Sequence, residues 1–317
     1  MKLQKIYELA YTMGIKADPR GNEIIKRELE SKQKEYDSLP EKDKKYFDLE
    51  SLKNPYSDSR ILVGGGDEEI KSVMMGIDME AGELLLADRL KEKGRPVDLA
   101  IAHHPEGSAL AALSEVMSLQ CGHMFKNGVL PNVAMAIMED RISEVDRGIA
   151  TLNHQRSVAI AEILNQPFMC VHTPADNLVT DFVTKHLEKA SPYNLGDLVD
   201  ALLEIPEYSI AAKKNNPPKI ITGTKKTPTG KIYIDFTGGT GGADENYKHL
   251  CDAGISTVIA MHAGEKKIKV AKECHLNIVI AGHISSDSLG CNLFLDALEK
   301  EGIDIIPVSG LTRVSRN

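Results

Sequence analysis

The stretch MMGIDMEAGELLLADRLKEKGRPVDLAIAHHPEG, residues 74–107, decides the fold. It opens on a short apolar run ending in Asp78, passes through a helical pattern, and returns to an apolar run that stops at His103, His104, a proline and a glycine. Strand, helix and strand in that order make the unit of a mainly parallel sheet with helices packed on it. Working outward, VMMGID (73–78), VDLAIAHH (97–104), PFMCVH (167–172), KIYIDF (231–236), STVIAMH (256–262), LNIVIAGH (276–283) and IDIIPVSG (303–310) read as strands. Between them AGELLLADRLKEKG, DNLVTDFVTKHLEKA, ADENYKHLCDAG, EKKIKVAKECH and SLGCNLFLDALEKEG read as helices, and residues 133–165 read as one long helix. Around residues 214–230, a stretch rich in Pro, Gly and Lys reads as a hairpin or a connection between halves.

A second stretch, IYIDFTGGTGGADENYKHLCDAGISTVIAMHAGE (232–265), repeats the order of the first: a strand ending in Asp235, a helix, then a strand ending in histidine before a small-residue turn. The next strand of each half closes in the same pattern, HTPAD at 172–176 and HISSD at 283–287. This is the mark of an internal duplication. The expected architecture is α/β, two intertwined α/β repeats with mainly parallel mixed sheets, plus an N-terminal helical extension. Its parts are an extension over residues 1–60, a first repeat with a long helical insertion over 61–213, and a second repeat over 214–317. The extension carries Leu3, Ile6, Tyr7, Ala10 and Met13 at helical spacing and then a highly charged stretch, so it reads as helices with solvated faces and no visible chemistry.

Composition narrows the function classes. The chain has 317 residues, 42% hydrophobic and 26% charged, with a net charge of −8. No block of Lys and Arg stands apart from acidic neighbours, so a nucleic-acid partner is not expected. The N-terminus lacks an uninterrupted apolar core, and no segment is apolar for long enough to cross a bilayer, which predicts a cytoplasmic protein without a membrane partner. Five cysteines, odd in number and never in a C-x-x-C arrangement, read as reduced thiols and not as a disulfide framework or zinc knuckle.

The histidines share one address. His103, His104, His172, His262 and His283 all fall at the carboxyl ends of the expected strands, where side chains line the ligand crevice of open α/β sheets. Neighbours in a strand point to opposite faces, so His103 and His104 converge only if Pro105 bends the chain, and each could then serve one of two neighbouring metal ions. His283 and Asp287 are four apart and share a face if a helix starts there, and Asp176 would add a second carboxylate. Such a donor set suits divalent transition metals, Zn, Mn, Fe, Co or Ni. Either aspartate alone also reads as a helix N-cap.

AHHPEG, HTPAD, AGHISSD and the GGTGG that follows a strand resemble, in the same order, the signature segments of the Nif-three-like family, often labelled GTP cyclohydrolase one type two homologues. The resemblance covers residues 61–317. It implies two metal ions with His103 and His104 as their ligands, Asp176 on one ion, His283 on the other and Asp287 bridging them. His172 is implied as a neighbour of the site, not a ligand. The resemblance also implies a homo-oligomer, a toroidal hexamer with the metals facing its interior. The chain departs from the family in two places. The bridging acid there is usually glutamate, one methylene longer than Asp287, and AMHAGE replaces a common T-G-D segment, placing His262 where it could add a ligand, a base or nothing.

The resulting expectation is a metal-dependent hydrolase acting on a phosphoester, amide or purine ring of an unidentified small molecule, with His172 and His262 as candidate acid–base residues. The competing expectation is a non-catalytic metal- or ligand-binding protein acting through its assembly or partners. GGTGG at 238–242 could hold a phosphate or carboxylate, or form only a tight turn.

Overall fold

The computed structural model describes every residue from Met1 to Asn317. Nine strands form two sheets: β1 (Ile61–Val63), β2 (Ser72–Gly76), β3 (Leu99–Ala102), β4 (Phe168–Cys170), β5 (Lys219–Thr222), β6 (Ile232–Asp235), β7 (Thr257–Ala260), β8 (Asn277–Ile280) and β9 (Asp304–Pro307). The first sheet has the order β1-β4-β3-β2-β9 and the second β5-β8-β7-β6. Each has one antiparallel edge strand, β1 beside β4 and β5 beside β8, next to parallel strands, four in the first sheet and three in the second. The first four strands and the next four therefore have the same order and directions, which is the duplication seen as topology. β9 has no counterpart: it crosses back from the end of the chain to pair with β2 and intertwines the halves.

All seven strands read from the sequence are present. Every residue of β2 and β3 is buried, as expected of parallel strands covered by helices on both faces. The sequence reading missed β1 and β5, and it joined two helices, Pro131–Ile149 and Arg156–Ile163, into one. A turn at residues 150–155 separates those helices, and the His154 ring there bonds the Ile149 carbonyl across 2.8 Å. The register also corrects one pairing. Ala102 lies beside Gly76 while Ala260 lies beside Asp235, so aligning AHH with AMH matches Asp235 to Gly76, two residues before Asp78.

The N-terminal helix Leu3–Ala17 is not a solvated appendage. Leu3, Ile6, Tyr7 and Ala10 are buried in one core with Met75, Met169, Phe294 and Leu295. The solvated reading fits the next helix, Asn22–Ser38, where Ile25 alone is buried.

Two long helices position the site. Thr173–Ala190 follows β4 directly, and His283–Lys300 follows β8. They touch at Gly290, where a Cβ would stand 2.3 Å from the Ala175 carbonyl oxygen. This contact brings the first turns of both helices, with Asp176 and Asp287, to one point between the sheets.

Candidate metal centre

His103 and His104 leave β3 at its carboxyl end, His172 caps the first long helix, and His283 opens the second. In both helices the histidine and the aspartate four residues on share a face. His172 Nε2 stands 3.8 Å from Asp176 Oδ2, and His283 Nε2 stands 3.4 Å from Asp287 Oδ2. Asp287 is the centre of the cluster. Its Oδ1 lies 3.6 Å from His103 Nε2, and its Oδ2 lies 3.6 Å from His104 Nε2. Asp176 Oδ1 lies 3.6 Å from His103 Nε2. The rings of His172, His103, His104, His283 and His262 follow one another with neighbouring centroids 5.0, 5.3, 5.3 and 5.2 Å apart.

None of these histidine–aspartate contacts is a hydrogen bond, and all are short enough for a shared cation. Two sets, His103–His172–Asp176 and His103–His104–Asp287, each bring three donor atoms within 4.8 Å of one another and could hold a metal ion. His103, Asp176 and Asp287 are almost wholly buried. His103 Nε2, Asp176 Oδ1 and both carboxylate oxygens of Asp287 have no hydrogen-bond partner. Buried polar atoms are ordinarily paired, because an unpaired one forfeits its hydration. Four such atoms converging from three side chains fit a bound cation.

The outer ring nitrogens explain how the inner ones are presented. His103 Nδ1 lies 3.0 Å from the Val171 carbonyl oxygen, which can only accept, so Nδ1 carries the proton and Nε2 offers its lone pair inward. Asp58 Oδ2 accepts from His172 Nδ1 at 2.8 Å, and Asp78 Oδ1 from His104 Nδ1 at 2.7 Å. Carboxylates and carbonyls behind ligating histidines fix tautomer and ring orientation in metal sites.

The electrostatics agree. Burial, with Asp287 and Asp58 nearby, pushes the Asp176 carboxyl well above the usual range. Burial pushes Asp287 the same way, but His103, His104 and His283 outweigh it and hold Asp287 low. Burial lowers His103 and His283 and so favours the neutral, ligating form, whereas at His104 burial is outweighed by Asp287 and Asp78, which raise it. A cation between the two aspartates would lower Asp176 as well.

The structure thus gathers His103, His104, His172, Asp176, His283 and Asp287, with His172 sharing a donor set that the resemblance did not give it. His262 stands at the edge, exposed, with its ring against His283. A cavity of about 260 Å³ opens over the centre, lined by His104, His172, His262 and His283 and reaching Lys267. Sequence reading passed over Asp58, which it placed in the solvated extension, and gave Asp78 no part in the site. Nothing in the local pattern links Asp58 to a histidine 114 residues away.

Fold and site define a class: a duplicated α/β protein whose halves share a buried His/Asp cluster that could hold a metal ion. Among solved structures, a NIF3 superfamily protein from Sphaerobacter thermophilus superposes with a TM-score of 0.71 at 29% identity, over 80% of this chain and 92% of that one. Reduced HcgD from Methanocaldococcus jannaschii matches at a TM-score of 0.49 and 13% identity, over 78% and 87% of the two chains. TTHA1606 from Thermus thermophilus matches at 0.46 and 13%, over 85% and 95%. No protein-family model and no curated protein matches the chain. The likeness to the Sphaerobacter protein in fold and sequence supports a NIF3-like assignment of the chain.

Proposed function

We propose that this chain holds two divalent transition-metal ions and hydrolyses a small-molecule substrate with them. One position is formed by His103 Nε2, His172 Nε2, Asp176 and Asp287 Oδ1, and the other by His104 Nε2, His283 Nε2 and Asp287 Oδ2. The observation that carries the reading is the convergence of four buried, unpartnered donor atoms. It is supported by three histidines whose outer nitrogens are each occupied by an acceptor. The shorter side chain of Asp287 still reaches both positions, because its two oxygens face different histidines.

Ions held there would supply Lewis-acid activation of water and countercharge for a developing oxyanion. The chain's own residues do the rest. Asp58, Val171 and Asp78 keep the ring protons of His172, His103 and His104 on the outer nitrogens. The second position has two protein histidines and one carboxylate oxygen and adjoins the cavity, as a site that must admit substrate requires. His262, exposed at the cavity edge, is placed to exchange a proton with a leaving group. The metal identity is drawn from Zn, Mn, Fe, Co and Ni, because imidazole and carboxylate donors suit these ions.

The domain boundaries proposed are 1–60, 61–213 and 214–317. A homo-oligomer, hexameric on the resemblance, is proposed with them, and size in solution tests it. No helix is long and apolar enough to cross a membrane, and all five cysteines are free, which supports a reducing, cytoplasmic setting.

Metal content per chain, measured by elemental mass spectrometry on tag-free protein purified without chelator, tests the reading. Two transition-metal ions per chain are expected, and His104→Ala and His283→Ala should each remove at least one from protein that stays folded. Unchanged content in both variants would refute the ligand assignment.

A further inference from the structure

The cavity over the metal centre ends at a second group of unused donors. Lys267, in the first turn of the helix Glu265–Glu273, is only 7% exposed, yet it lines this cavity. Its Nζ lies 3.8 Å from Asp235 Oδ2, beyond hydrogen-bond reach, and 5.1 Å from the centre of the Tyr247 ring. These contacts hold the ammonium in place and leave its three N–H donors free. The ammonium, ion-paired with Asp235 without a hydrogen bond, keeps its N–H donors available to an anion in the cavity.

The glycine-rich loop after β6 offers more donors at the same point. Gln120 Nε2 donates to the carbonyls of Gly238 and Thr240, both at 2.7 Å, and Arg141 Nε donates to that of Gly241 at 3.0 Å. The peptide bonds are trans, so the following N–H groups, those of Gly239, Gly241 and Gly242, point away from these side chains. None of the N–H groups from Gly238 to Gly242 donates to another backbone group. Gly238 and Gly239 have φ of +100° and +81°, a backbone region open to glycine. A Cβ on Gly241 would stand 3.8 Å from both Lys267 Nζ and His262 Cε1, which places the loop, the ammonium and the edge of the metal centre around one point.

We propose that Lys267 and the backbone N–H groups of Gly239 and Gly241 form a phosphoryl-binding subsite beside the metal centre. The substrate is then a phosphorylated small molecule: its phosphoryl group is anchored at Lys267 while the bond to be hydrolysed lies over His104 and His283. A phosphoryl group, with three oxygens and up to two charges, uses the ammonium and the loop N–H groups together, which a carboxylate does only in part. The proposal rests on the metal-hydrolase reading for what happens at the far end of the cavity, but the anion site itself is tested separately.

The probe is inorganic phosphate, titrated calorimetrically into metal-loaded wild-type protein and Lys267→Gln, with metal content and thermal melting measured on both. Lys267→Gln should bind phosphate roughly 10- to 100-fold more weakly, the scale of a lost charge-assisted hydrogen bond, with unchanged metal content. Lys267→Arg should recover part of the affinity, and Asp235→Asn, which removes the neighbouring negative charge, should bind more tightly than wild type. Gly241→Ala is the second variant: its methyl group meets only ordinary contacts, so the chain folds, but it occupies the point between Lys267 and His262 and blocks phosphate. Wild-type phosphate affinity in both Lys267→Gln and Gly241→Ala overturns the subsite, as does a fully metal-loaded wild type that binds no phosphate. Acetate bound as tightly as phosphate overturns the phosphoryl assignment. A wild type that holds no metal defeats the hydrolase reading instead, and the same titrations on that metal-free protein still decide the subsite.

Discussion

Replacing Asp58 with alanine removes the carboxylate that accepts from His172 Nδ1 at 2.8 Å and from the Thr173 hydroxyl at 2.6 Å. Asp58 is fully buried, and the hydrogen bond and charge of His172 overcome its burial to hold it below the usual carboxylate range. Two buried donors lose their acceptor, at about 1–3 kcal/mol each when left unsatisfied. The same change relieves the burial of a charged group, so the net loss of folding stability should be about 1–3 kcal/mol. The effect on the metal centre is separable. With no acceptor at Nδ1, the His172 ring is free to rotate or take the other tautomer, and the position it shares with His103 and Asp176 should bind its ion about 10- to 100-fold more weakly. Asp58→Asn keeps an acceptor and loses the charge, so it should fall between wild type and alanine. The assay is competition for zinc against a chelator of known affinity, read as ions retained per chain, with melting followed by calorimetry. One ion should weaken while the ion at His104 and His283 stays. A folded Asp58→Ala protein that holds both ions as tightly as wild type would show that the N-terminal region takes no part in the site.

Two further outcomes test the frame around the site. Gly290→Ala puts a methyl group 2.3 Å from the Ala175 carbonyl oxygen and 2.9 Å from its carbon, so the two long helices must separate; a loss of about 3 kcal/mol in denaturant unfolding is expected, with weaker metal binding. Burial holds the His123 imidazole, stacked on Tyr233 with ring centres 4.4 Å apart, down at about 4 from an ordinary 6.5. Between pH 6.5 and 4 the unfolded chain therefore binds a proton there that the native chain refuses, and stability falls as pH falls, by about 3 kcal/mol across the window. His123→Phe, compared with wild type in chelator over the same pH range, should remove that one-proton slope; parallel curves would refute it.

Much of the site could be read from the chain because its signals are local. Each strand that feeds it is followed within three residues by a histidine, and the spacing of four between His283 and Asp287 carries the shared face directly. The missed elements lacked a local signal. β1 and β5 are sheet edges of three and four residues, partly exposed, and too short to show a period. Lys267 lies among Lys266, Lys269 and Lys272, a run that reads as a solvated face, and only the packing of its helix against Asp235 and Tyr247 singles it out. The contact of Asp58 with His172 spans 114 residues and is made by tertiary folding alone.

The duplication explains why there is one centre and not two. The halves share strand order, and each supplies a histidine and an aspartate, four apart, in the first turn of a long helix. They differ at the exit of the middle strand: the first half has His103 and His104, whereas the second has Met261 and His262. Methionine in the place of His103 leaves the second half without the buried imidazole on which the two carboxylates converge, and Met261 packs instead into the core beside Phe236 and Leu289. The space beyond is bounded by His262, the glycine-rich loop and Lys267. One repeat therefore contributes most of the candidate metal donors, and the other contributes His283, Asp287 and the cavity wall. Since Asp287 contacts His103 and His104 across the interface of the halves, neither repeat alone carries a complete site, and β9, which ties the end of the chain to the first sheet, holds the two contributions together.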